Sequence, residues 1–80
     1  MDAANQGYRR TLQVFFMSFD YAEPPHVHVE REHKTCKFWL EPLALASNQG
    51  FKSHELGETR GLIRTHLNVI LEAWYERCDG

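Results

Sequence analysis

The sequence has no glycine-rich phosphate loop, no Gly-x-Ser-x-Gly elbow and no His-Glu-x-x-His pair, so the familiar nucleotide, serine-hydrolase and zinc-protease signatures are absent. Its two cysteines, Cys36 and Cys78, form no Cys-x-x-Cys pair, which argues against a disulfide framework and leaves inert thiols as the expectation. No apolar run is long enough to span a membrane. The polar start Met1-Asp2-Ala3-Ala4-Asn5-Gln6-Gly7 is unlike a signal peptide, so a cytoplasmic protein without membrane contact is expected. Charge of one sign is also scarce: the net charge of -2 argues against gripping nucleic acid by bulk electrostatics and leaves only a local basic spot.

The composition, 42% hydrophobic and 25% charged, is that of an ordinary globular protein rather than a disordered one. Eighty residues leave room for one core. A chain of this size buries roughly 60% of its unfolded surface, so a partner could add to its stability. Residues 1–9 read as a flexible arm and 10–78 as a single α+β domain.

Strand patterns fall at about 11–18, 26–31 and 35–41. The first is apolar on both faces, with Leu12, Val14 and Phe16 on one and Phe15 and Met17 on the other. The second follows Pro24-Pro25, which disfavours helix, and alternates Val27 and Val29 against His26, His28 and Glu30. The third alternates Cys36, Phe38 and Leu40 against Lys37, Trp39 and Glu41. Pro42 at a first helical position predicts a short helix at about 42–48. Ser53 resembles an N-cap with Glu55 in the first turn, and a long helix is expected over about 54–77. Its stripe is Leu56, Ile63, Leu67, Ile70 and Trp74, with Gly57 and Gly61 weakening the first half. The expectation is therefore a three-stranded antiparallel sheet with both helices packed on one face.

Register then decides what the histidines do. Val27 and Val29 must share the core face with Cys36, Phe38 and Leu40, because a one-residue slip turns every side chain over. The simplest pairing of that parity sets His28 opposite Lys37, His26 opposite Trp39 and Glu30 opposite Thr35. Opposed residues lie roughly 5 Å apart at Cβ. One face then carries two imidazoles, an ammonium, two carboxylates and an indole.

That face supports several chemistries. As catalytic residues, one of His26 and His28 would remove a proton and the other donate it while Lys37 stabilises an anion, which suits cleavage of RNA by its own 2′-hydroxyl. The plainer alternative is an exposed strand face on which histidine is simply a half-polar β residue. As a metal site, His-x-His offers two ligands and Glu30 or His33 a third. A structural zinc site wants four, and Cys36 points the other way, so neither metal nor cofactor is assigned. As a partner-binding surface, Phe15, Met17 and Trp39 supply three large apolar residues, open to a partner protein or covered by the arm or a second copy of the chain. Leu62, Val69 and Ala73 form a further apolar flank on the helix, read as a dimer or partner contact.

The motifs Pro24-Pro25-His26-Val27-His28-Val29-Glu30 and Lys37-Phe38-Trp39-Leu40, with Pro42, Gly50-Phe51, Glu55-Leu56 and Trp74, resemble family 4160 of the bacterial domains of unknown function. The resemblance spans about residues 8–78. It implies a small single-domain protein encoded beside a second small domain in a two-gene, toxin–antitoxin-like arrangement. This chain would be the toxin-like member, neutralised by its neighbour-encoded partner; the face of His26, His28 and Lys37, and not the resemblance, is what directs it to RNA or translation. His26, His28, Lys37 and Trp39 are the signature positions. The alternative in a different class is a non-enzymatic module that docks a cognate small protein.

Overall fold

The computed structural model describes residues 12–16 and 22–79, with side chains as far as Arg77. Four strands form one antiparallel sheet in the order β1-β2-β3-β4: β1 Gln13–Phe15, β2 His26–Arg31, β3 Lys34–Leu40 and β4 Leu43–Gln49. Two helices follow, α1 Ser53–Thr65 and α2 Leu67–Asp79. The fold is α+β, as the alternation of patterns predicts. The arm expected over 1–9, and the part of the first strand at 17 and 18, lie outside the described residues.

The β2–β3 register is the one that parity requires: His26 faces Trp39, His28 faces Lys37 and Glu30 faces Thr35. The connecting turn is Glu32-His33, with Glu32 in the left-handed region at φ 57°. On the other edge of β2, Val14 faces Val29 and Phe15 faces His28. Val27, Val29, Cys36, Phe38 and Leu40 are buried together with Phe51 and Ile63. Leu56 of α1 and Leu67, Ile70 and Leu71 of α2 pack against this cluster, so both helices lie on its side of the sheet.

Three expectations need correction. The short helix at about 42–48 is instead the fourth strand, which makes the sheet four-stranded rather than three-stranded. Ala and Leu are good helix formers, but propensity yields to tertiary context, and residues 43–49 gain more by pairing with β3, whose backbone would otherwise end the sheet unpaired. Glu41 and the cis-bonded Pro42 form the turn that returns the chain, and Ala46 sits in a bulge between the Lys37–Ser47 and Phe38–Leu45 pairs.

The long helix is divided at His66, which leaves helical geometry at φ -109° and ψ 20°. Just before it, the Thr65 hydroxyl donates to the Gly61 carbonyl at 2.9 Å, a back-bond that loosens and bends a helix. The apolar stripe survives the break, with Ile63 and Trp74 buried and Leu56, Leu67 and Ile70 half-buried.

The N-cap is Lys52 rather than Ser53. Glu55 reaches back to accept from the Lys52 backbone N–H at 2.8 Å, so the carboxylate caps the helix in place of a hydroxyl. The same carboxylate accepts from Lys34 at 2.6 Å and lies 3.5 Å from Arg31, tying the β2–β3 hairpin to α1.

Candidate functional site

The signature strands bring His26, His28, Lys37, Trp39 and Phe15 onto one side of the sheet. Met17, the remaining residue of the expected apolar surface, lies outside the described residues. His28 occupies the middle of a cross-strand row, with Phe15 on one side and Lys37 on the other. Its ring stacks on Phe15 at 5.6 Å and 22°. Lys37 holds its ammonium 4.5 Å above the Trp39 ring and donates to Glu23 at 2.7 Å. The face is therefore an aromatic surface threaded by one ion pair and one cation–π contact.

His26 is different from its neighbour. Its side chain is fully buried, with ring centroids 5.1 Å from His28, 5.6 Å from Trp39 and 5.1 Å from Trp74. Its Nδ1 lies 2.9 Å from the Pro24 carbonyl. A carbonyl only accepts, so Nδ1 carries the hydrogen and the tautomer is set by the backbone. Glu23 also approaches this nitrogen, at 3.7 Å. The two prolines thus lead the chain into a clamp: Pro24 receives His26, Pro25 receives the Leu40 N–H at 3.0 Å, and Glu23 receives Lys37.

Chemically, a general acid or base must touch its substrate. His26 is enclosed by three aromatic rings, while His28 and Lys37 are only half-buried. An anion approaching Lys37 would compete with the carboxylate of Glu23. Among the described residues no three His, Cys, Asp or Glu side chains gather in a way that could hold a metal ion.

Two members of the site are missing from the sequence reading. Glu23 sits in a loop with no periodicity to mark it, and Trp74 is legible in the helix stripe and the family motif but not as a neighbour of His26. Its position 48 residues beyond His26 carries no local signal that the rings meet. Cys36 is buried, and that burial pushes its thiol up to about 11.

No helix among the described residues is long and apolar enough to cross a membrane. No curated protein and no solved structure matches the chain. Residues 12–75 match the family described as "Domain of unknown function (DUF4160)", a span that holds both signature motifs, and the chain belongs to that family.

Proposed function

We propose that this chain is a non-enzymatic protein-binding module of a two-gene, toxin–antitoxin-like pair, and that it docks its neighbour-encoded partner on the face of Phe15, His28, Lys37 and Trp39. The observation that carries this reading is the burial of His26. With that ring enclosed, the face presents a fixed aromatic and cationic surface rather than two accessible histidines. Aromatic side chains held rigid on a sheet supply contact area at little entropic cost, the property of residues that dominate interfaces. The partner's complementary feature is an apolar side chain for Trp39 with a carboxylate that takes the place of Glu23 on Lys37.

The test is co-expression with the neighbour-encoded small protein. Trp39→Ala should weaken binding by at least ~30-fold, the loss of a hot-spot residue, while circular dichroism stays unchanged. Binding retained by that variant would refute the reading.

A second reading is favoured by one observation, the placement of His28 directly opposite Lys37. Together with His26 they would act on RNA or the translation apparatus. Induced expression of the wild type beside His28→Ala separates the two. Growth arrest with RNA damage that His28→Ala abolishes would establish chemistry at this face; arrest that survives it would leave the face to binding.

A further inference from the structure

The two edges of the sheet are unlike. Among the described residues β1 is three residues long, whereas β4 runs for seven, about 23 Å. One edge of β4 is bonded to β3, and among the described residues no strand pairs with the other. Long open edges are ordinarily guarded by a lysine, a proline, a bulge or a covering segment. Leu43–Gln49 carries no charged residue and no proline, and its one guard is the bulge at Ala46. Leu45 pairs with the buried Phe38 on the helix side yet is 36% exposed, because the sheet stops beside it.

The ends of β4 differ in charge, and that decides what fits the edge. At its start, Glu41 accepts from the Tyr75 hydroxyl at 2.7 Å, and Glu72 and Glu76 lie beside Tyr75 on α2. Arg77, the cation of that helix end, lies over the Phe16 ring on the β1 side. Past the other end of β4, Lys52 follows the turn at Gly50, and Lys34 lies against Gly50. With Arg31 these cations outnumber Glu32 and Glu55 at that end. Antiparallel pairing about a two-fold axis sets the acidic end of one β4 against the basic end of another. The seven uncharged residues between meet without repulsion. The bulge also selects the occupant: a second β4 carries the same bend and twist, whereas a straight strand follows only part of this edge.

We infer that β4 is a homodimer edge, on which a second copy of the chain pairs its own β4 antiparallel and extends the sheet through both molecules. Each Leu45 is then covered by the other copy. The axis runs perpendicular to the sheet, so the aromatic faces of both copies lie on the same side of it.

Sedimentation velocity of the full chain over rising concentration should show a monomer–dimer equilibrium, with amide hydrogen exchange over residues 43–49 slowing as dimer forms. Glu41→Lys and Lys52→Glu should each weaken the dimer roughly ten-fold. The two variants mixed in equal amounts should recover it, since each then offers the charge that the other lacks. That recovery separates a charge effect from loss of the Glu41–Tyr75 bond. Leu45→Lys should also weaken the dimer; circular dichroism checks its folding, and if it does not fold the charge pair decides. A monomer up to ~1 mM, indifference to both charge variants, or weakening that mixing does not recover would overturn the inference. A dimer whose slowed amides lie on α2 around Val69, and not on β4, would overturn it in favour of the helices.

Discussion

Replacing Gly57 and Gly61 with alanine should make the protein more stable, by an amount that can be worked out in advance. Both lie inside α1, and a Cβ built on either meets nothing within 4 Å among the described residues. Neither has positive φ, so alanine fits without strain. In an exposed helix interior, glycine is about 0.8–1.0 kcal/mol less favourable than alanine, chiefly because the unfolded chain is freer. The bond from Thr65 to the Gly61 carbonyl uses only backbone at that position and is kept. The two sites are one turn apart on the outer face, so the effects should nearly add, to about 1.6–2 kcal/mol. Unfolding entropy is about 2.1 cal/mol/K per residue, which for this length converts to a rise in melting temperature of about 10 °C. Thermal and urea unfolding of Gly57→Ala/Gly61→Ala, followed by circular dichroism, measures both quantities. A rise of under about 3 °C, a fraction of the worked value, would refute the argument. A fall would mean that the outer face of α1 is covered in solution.

Gly50→Ala should do the opposite. At φ +107° its added Cβ would lie 2.9 Å from Cγ of Lys34, whose ammonium is held by Glu55, so a loss of about 1–3 kcal/mol is expected from the urea midpoint, and an unchanged midpoint would contradict the strain. The Glu55 carboxyl is held down to about 2 by its hydrogen bonds from Lys34 and then from the Lys52 backbone, against an ordinary 4.5. Because the folded-state value is the depressed one, its contribution is complete above pH 4.5 and drains away as pH falls toward 2. Urea midpoints should therefore drop across that window, and Glu55→Gln should flatten the drop; a parallel drop in the variant would assign acid sensitivity to other groups. The Cys36 thiol, raised to about 11 by burial, should resist iodoacetamide at pH 8 in a Cys78→Ser background and react once unfolded. Alkylation of the folded protein at the rate of a free thiol would contradict its burial.

The parts of this fold that could be read from sequence are those governed by short-range alternation. Val27 and Val29 against Cys36, Phe38 and Leu40 fix which side of each strand is buried, and with that the pairing of His28 with Lys37 and His26 with Trp39. The helix stripe from Leu56 to Trp74 is equally legible because burial imposes its period. What fails is whatever depends on a distant partner. Leu43 to Gln49 carries helix-forming residues behind a proline, and only the free edge of β3 makes it a strand. The break at His66 has no glycine or proline at that position to announce it; beside it a threonine bonds back to its own helix. Glu23 belongs to the site through one long side chain on Lys37, a contact that spacing does not encode.

The burial of His26 changes what the proline–histidine motif means. Read along the strand, His26 and His28 are equivalent, two imidazoles on one side. In three dimensions they divide the work. His26 is fixed by the Pro24 carbonyl and the rings of Trp39, His28 and Trp74. Pro25 is tied to β3 through Leu40, and Glu23 through Lys37. The segment before β2 is thus held from three directions, and what it holds in turn is the orientation of Lys37 and Trp39 on the exposed face. A motif built this way would be constrained at every residue without any of them donating a proton to a substrate. His26 is then a positioning residue, and a substitution there would disturb binding, stability and any activity together. The informative position is His28, whose ring stacks on Phe15 and meets the edge of His26, and whose loss leaves the bonds to Pro24, Pro25 and Glu23 in place.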